Sequence, residues 1–387
     1  MAEWKKVRLG TIVSTNQDTY SPKENWKFVN YLDTGNITMN RIDEVQHINT
    51  SMDKLPSRAR RKVKSNSIIY STVRPNQLHY GIIKEQPENF LVSTGFTVID
   101  VNMEKAVPDY IYYVLTQKEI TEHLQAIAEQ SVSAYPSLKP SDIENLEVLL
   151  PDIDTQKATV AILGVIDEKI KQNTEINKNL EQQAQAIYQQ MFIDNASSGW
   201  TEGTLSDIAD IIMGQSPSGS SYNEDGNGTI FFQGRAEFGF RFPTVRLYTT
   251  EPKRMACAND TLMSVRAPVG DLNVAHTDCC IGRGLAAIHS KNNHQSFVLY
   301  TMFSLKKQLD VFNSEGTVFG SINRNSLNEM PILIPSSEKL DEFEALVAPM
   351  DAVIRNNYDE ICRLERLRDS LLPKLMSGEL DVSDIDL

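Results

Sequence analysis

One pattern occurs twice in this 387-residue chain, at a constant offset of 184 residues. Leu138-Lys139-Pro140-Ser141-Asp142-Ile143 aligns with Ile322-Asn323-Arg324-Asn325-Ser326-Leu327, and Val148-Leu149-Leu150-Pro151 aligns with Ile332-Leu333-Ile334-Pro335. The match runs from Leu138–Met191 onto Ile322–Leu375 without an insertion. A weaker anchor opens each copy: Trp4-x-x-x-x-Leu9-x-x-Ile12 and Trp200-x-x-x-x-Leu205-x-x-Ile208. A chain that repeats a whole domain and the helix after it can close as a pseudo-two-fold object, and such objects suit two-fold or bipartite partners.

The helical part is the most regular. Leu163, Ile166, Ile170, Asn173, Asn177, Leu180, Ala184, Ile187 and Met191 alternate spacings of three and four, and Val347, Met350, Ile354, Asn357, Ile361, Leu364, Arg368, Leu371 and Leu375 repeat them. A 3.5-residue apolar period predicts a coiled-coil seam; the bland alternative is two amphipathic helices, each packed on its own domain. The first helix is predicted from about Thr155 to about Phe192, roughly 55 Å at 1.5 Å per residue. Copies that follow one another in order pair most simply antiparallel. Asn173 and Asn357 hold matching seam positions, where a buried amide penalises wrong registers at a cost in stability. Arg368 is expected to snorkel or to face a partner protein. Ser197-Ser198-Gly199 reads as a short flexible exit from the first helix, Pro373 is expected to bend or end the second, and Asp381–Asp386 reads as an acidic tail.

Residues 1–150 and 198–335 read as mixed α and β. Ser67–Val73 and Thr261–Arg266 form one matched strand pair, Phe96–Ile99 and Leu285–Ile288 another, and Asp109–Leu115 and Ser296–Met302 a matched helix pair. The loops between them differ freely, as in modules that read different ligands. In the first block the run Lys54–Lys64 carries Lys54, Arg58, Arg60, Arg61, Lys62 and Lys64 and no acid, and is read as a phosphate-contacting loop rather than a merely solvated one. Beyond it, Arg74, Asn76, Gln77 and Tyr80 concentrate groups able to read base edges, since Arg pairs with guanine and Asn or Gln with adenine. The second block offers Gln215, Ser216 and Ser218 in a polar loop, Gln233, Arg235 and Arg241 among aromatics, and Arg246, Arg254, Arg266, Arg283 and Arg324 in loops.

The net charge of −13 argues against a nucleic-acid partner only until it is located. Residues 151–197 carry seven acids against four bases and residues 336–387 thirteen against six, so both blocks are close to neutral. Nucleic-acid affinity follows local phosphate contacts rather than whole-chain charge. No run of about 18 apolar residues exists, and the N-terminus lacks an apolar signal core, so a cytoplasmic protein is expected. Four cysteines without a C-x-x-C pair fit a reduced compartment. There is no phosphate-cradling P-loop, no G-x-G-x-x-G, no Asn/Asp-Pro-Pro-Tyr/Phe pocket and no metal-ligand spacing. Asp152, Asp167 and Lys169 mimic a sparse nuclease pattern, but Asp167 lies within a heptad and the second copy, with Ser336, Asp351 and Val353 in their places, lacks the needed set. The chain reads as a reader rather than a catalyst.

Along nearly its whole length the chain resembles the specificity subunits of Type I restriction–modification enzymes. The residues that carry the likeness are the Trp-x-x-x-x-Leu openings, the paired strand exits into long helices and Phe231-Phe232-Gln233-Gly234. They also include Ser264-Val265-Arg266-Ala267-Pro268-Val269-Gly270, Cys280-Ile281-Gly282-Arg283-Gly284 and the ending Leu371–Leu380. The resemblance implies an α+β fold of two similar mixed α/β target-recognition domains (1–150 and 198–335) separated by two long antiparallel coiled-coil helices (151–197, and 336–387 with the tail). Each domain would bind one half of a bipartite double-stranded DNA site, and the helices would set the unread spacer. Two methyltransferase subunits would dock on the helices and motor-nuclease subunits would join them. S-adenosylmethionine, and ATP with Mg2+, would sit on those partners, with no cofactor in this chain, and the target would be a flipped-out adenine. The alternative is a scaffold or decoy that binds only proteins.

Overall fold

The computed structural model describes residues 4–131, 135–313 and 320–382. They form two compact units, one made of residues 1–171 and 360–387, the other of residues 172–359. Both units draw on both long helices, Ile153–Tyr188 and Ser337–Ser377.

In the first unit the strands Val13–Thr15, Phe96–Val101, Ser67–Ser71 and Tyr80–Ile83 form an antiparallel sheet in that order. A second sheet runs Gln46–Asn49, Phe28–Leu32, Phe90–Ser93, Ala59–Lys62, with a parallel central pair and antiparallel outer ones. Ser67–Ser71 is buried at every position, as a strand covered on both faces must be, and its sequence Ser-Ile-Ile-Tyr-Ser is correspondingly continuous rather than alternating. The helix Pro108–Thr116 caps that core with Tyr110, Ile111, Val114 and Leu115. Pro108 suits the first helical turn, where its missing N–H leaves no bond unmade.

The second unit repeats the plan. Ala209–Met213, Leu285–Ser290, Thr261–Ser264 and Leu272–Val274 form the first sheet in the same order. Tyr222–Asn223, Leu247–Thr249, Thr229–Phe232, Cys279–Ile281 and Met255–Ala256 form the second, again with one parallel pair and with one extra edge strand. The offset of 184 survives residue by residue. The helices Pro140–Glu144 and Arg324–Asn328 correspond, as do the strands Glu147–Leu150 and Pro331–Ile334 and the long-helix starts Ile153 and Ser337. Each of those strands pairs antiparallel with the opening strand of its own unit, Lys5–Arg8 or Thr201–Thr204.

Within each unit the long helices pair antiparallel. In the first, Asp167 meets Arg368 at 3.1 Å and Lys169 meets Glu360 at 3.8 Å. In the second, Asn177 donates to the Ile354 carbonyl at 3.2 Å and accepts from Asn357 at 2.8 Å, while Tyr188 meets the Phe343 ring at 5.9 Å. Every seam position named above is buried or half-buried. Of the two seam amides expected to be buried, Asn357 is half-buried and donates to Asn177 across the helix pair. Asn173 is buried.

Corrections concern the ends. The first helix begins at Ile153 and passes into a π-helical turn, Gln189–Asp194, closed by the Asn195 side chain on the Gln190 carbonyl at 2.9 Å. The wider turn brings Phe192 against Phe297 and Phe343, with ring centroids 5.0 and 5.2 Å apart. Pro373 does not end the second helix, which continues to Ser377 and closes on Gly378 at φ +74; the last turns are held by Leu371, Leu375 and Met376 in the first unit's core. Arg368, expected to snorkel or to face a partner, is engaged within the chain. It pairs with Asp167, which also accepts the Tyr113 hydroxyl at 2.7 Å. The acidic tail beyond Val382 lies outside the described residues.

Candidate nucleic-acid interface

In the second unit three backbone segments converge where strands leave the sheets. The Gln215 N–H donates to the Ile281 carbonyl at 3.0 Å, and the Arg283 N–H donates to the Ser216 hydroxyl at 3.2 Å. The Gly282 N–H donates to the Phe232 carbonyl at 2.8 Å, and the Val265 N–H to the Gly284 carbonyl at 2.9 Å. Glycine is required for this closeness. A Cβ on Gly214 would overlap the Gly282 carbonyl, and one on Gly282 would stand 2.9 Å from the Gln233 Cα. The side chains of Gln215, Gln233, Arg266 and Arg283 at this junction are exposed, and Ser216 is half-buried. Arg235, also exposed, bonds Asp271, whose other oxygen meets Lys306 at 3.2 Å.

The first unit has the same junction with different residues. Its parallel strand pair sets Leu91 opposite Tyr31 and Val92 opposite Leu32, as Cys280 stands opposite Phe231 and Ile281 opposite Phe232 in the second. Asp33 therefore takes the place of Gln233, Thr94 that of Arg283, and Gly95 that of Gly284. The Thr72 N–H donates to the Gly95 carbonyl at 2.8 Å, as Val265 does to Gly284. The Thr94 N–H donates to the Arg58 carbonyl at 2.8 Å, which brings the basic segment to the junction. Burial raises the Asp33 carboxyl, but bonds from the Thr34 N–H, Tyr31 and Ser93 and the charge of Arg58 outweigh it, leaving Asp33 below its ordinary value. Sequence reasoning passed over Asp33, Thr34 and Thr94; aligning the parallel strand exits of the two blocks would have found them.

The sequence candidates divide accordingly. Lys54 and Arg58 are exposed and Arg60 half-buried, but Ala59–Lys62 is an edge strand rather than a loop. Arg61 is half-buried within it. Lys62 is held by Glu24 at 2.7 Å and Asp18 at 3.8 Å, and Glu24 raises its ammonium above the ordinary value. Lys64 meets Asp100 at 3.3 Å. Arg74, Asn76 and Gln77 are exposed on a tight turn, with Arg74 at φ +48 and its guanidinium 5.4 Å from the Tyr135 ring. Tyr80 is not a surface reader: it is 4% exposed and stacks on Tyr70 at 5.6 Å. Ser218 is exposed and bonds Ser220. Arg246 pairs with Glu237 at 3.1 Å and Glu224 at 3.6 Å. Arg254 is exposed and its backbone carbonyl accepts from the Ile281 N–H at 2.9 Å, beside the junction, while Arg324 is exposed on the short helix of the repeat. Arg241 is an interior residue, 4% exposed, ion-paired with Glu181 and Asp351 and donating to the Tyr300 hydroxyl, so it reads no ligand. Among the described residues no group of three or more His, Cys, Asp or Glu stands together as a metal site, and no helix is long and apolar enough to cross a membrane.

The family model described as "Type I restriction modification DNA specificity domain" matches residues 1–182 and 197–354, one stretch for each copy of the repeat. The chain belongs to this specificity family. Among its specificity-subunit relatives, the putative MjaX subunit of Methanocaldococcus jannaschii is 27% identical, over 98% of this chain and 94% of its own. The HindI specificity subunit of Haemophilus influenzae is 24% identical, over 98% of this chain and all of its own. The crystal structure of the Type I S subunit from M. genitalium matches with a TM-score of 0.58 at 17% identity, covering 97% of this chain and 96% of that one, a likeness of fold. The HsdS subunit of Thermoanaerobacter tengcongensis is 31% identical over 97% of each chain, with a TM-score of 0.43.

Proposed function

We propose that this specificity subunit is the non-catalytic DNA-reading component of a Type I restriction–modification complex, each recognition domain binding one half of a bipartite double-stranded site. The observation that carries this reading is the twin junction. One scaffold presents Asp33 and Thr94 in the first unit and Gln233, Arg266 and Arg283 in the second. Identical frames with unlike hydrogen-bonding groups are what two readers of different half-sites require. Residues 1–150 and 198–335 then serve as target-recognition domains, and 151–197 and 336–387 as spacer helices. Type I methyltransferase subunits dock on those helices, whose outer faces show Val165 and Leu367 in one unit and Ile176, Leu346 and Val353 in the other, with motor-nuclease subunits joining them. S-adenosylmethionine, and ATP with Mg2+, are held by the partners, and the modified base is adenine, in the cytoplasm.

Filter binding of random-sequence duplexes, with the methyltransferase subunit present, tests the reading. Enrichment of a two-part motif is expected. Binding of the partner without selection of DNA would favour the protein-only scaffold instead.

A further inference from the structure

Both units contain the same polar node where the recognition domain meets the helices. In the first, the Tyr113 hydroxyl donates to Asp167 at 2.7 Å and Arg368 pairs with Asp167 at 3.1 Å. In the second, the Tyr300 hydroxyl donates to Asp351 at 2.9 Å and Arg241 pairs with Asp351 at 3.3 Å. Asp167 and Asp351 are equivalent by the 184-residue offset, and Tyr113 and Tyr300 hold matching places on Pro108–Thr116 and Gln295–Ser304. A second carboxylate is shared too: Glu181, 3.1 Å from Arg241, is the equivalent of Glu365, which lies three residues from Arg368. Burial raises both carboxyls, and the neighbouring arginine pulls each back down; Glu365 keeps the more solvent.

The cations are not equivalent. Arg368 belongs to a long helix, and the helix position that matches it in the second unit is Ala184, fully buried. Arg241 belongs to the recognition domain. The first domain's nearest counterpart is Arg41, on the hairpin strand after the Thr34–Asn36 turn; it is exposed and acts on Glu365 only through its charge.

We propose that this node latches each recognition domain to the helices, with its guanidinium supplied by the helix in the first unit and by the domain in the second. Arg368 and Arg241 are positioning residues with one task. The latch makes the two domain positions unequal. A domain placed in the second position must bring its own arginine, because Ala184 offers none, whereas the first position already holds Arg368.

The role in DNA spacing rests on the recognition function proposed above; the latch itself does not. Arg241→Ala should leave Asp351 and Glu181 without a counter-charge and lower the Tm of the full chain by on the order of 10 °C. Adding Ala184→Arg, in the space that Arg241→Ala vacates, should restore most of that loss, since an arginine there stands to Asp351 as Arg368 stands to Asp167. Should Arg241→Ala fail to fold, recovery of soluble protein by the double variant is the readout. A double variant no better than the single one, or an Arg241→Ala protein that melts as the wild type does, overturns the proposal. In the complex with the methyltransferase subunit, Arg241→Ala should also accept spacers one base pair longer or shorter at the cognate half-sites, and the double variant should regain the native spacing. Loss of stability with unchanged spacer choice would reduce Arg241 to a merely structural ion pair. If the wild-type complex selects no DNA, the recognition reading fails while the melting arm still judges the latch.

Discussion

Arginines of similar sequence context have opposite fates, and burial sorts them. Arg241 and Arg283 both follow glycine-containing aromatic or apolar stretches, yet one is 4% exposed among two carboxylates and the other is exposed at the strand junction. Arg283→Ala should leave stability within about 0.5 kcal/mol of wild type while weakening binding in the complex by roughly 1–3 kcal/mol and relaxing choice at one base; equilibrium binding to single-base variants of the site checks both. Arg58 and Arg60, on the basic segment beside the first junction, should act without regard to sequence. Replacing both with Ala is expected to reduce the slope of log affinity against log salt by roughly 2, whereas Lys62→Ala should not change it, because Lys62 is already engaged by Glu24 and Asp18. Glu181 gives a signature in pH. Its folded-state carboxyl is raised above the ordinary 4.5. Over the interval from 4.5 up to that raised value the folded protein keeps a proton that the unfolded chain has released, so stability falls as pH rises and then levels off. Glu181→Gln should remove that decline, read as Tm against pH.

At the scale of elements, the long helices were legible in the sequence and the junction was not. A 3.5-residue period survives in the sequence because each seam position must be apolar or internally bonded, and the structure buries or half-buries every one. Register was less legible: pairing of Asn357 with Asn177 depends on how far one helix slides past the other, which no single-helix pattern encodes. Asn177→Leu alone should cost about 1–3 kcal/mol by leaving the Asn357 amide without its acceptor. The double replacement with Leu should recover that loss or exceed wild type, at the expense of register, in a double-mutant cycle followed by thermal melting. Within the basic run, the four residues Ala59–Lys62 form an edge strand that the sequence hides, because their charges mask its alternation and Ala59 alone points fully inward. Tyr80 was misjudged for the converse reason: it follows a polar turn, but belongs to the next buried strand. Asp33, Thr34 and Thr94 carry no motif of their own, and only the paired strand exits of the two units bring them to notice.

At the scale of the whole molecule, duplication with divergence is the governing idea. The repeat keeps what builds the frame: strand order, the Tyr–Asp contact and the seam. It lets the exposed groups at the two junctions drift apart, down to an aspartate in one place and a glutamine in the other. On the proposed reading, each half of a DNA site would answer to one domain, and the distance between halves would answer to the helices. The most direct test is genome-wide mapping of methylated adenine in a host carrying the partner subunits, comparing the native chain with one whose residues 198–335 come from another specificity subunit that retains an arginine at the Arg241 position. One half of the methylated site should change while the other half and the spacer stay as they were; a change in both halves would contradict independent recognition by the two domains.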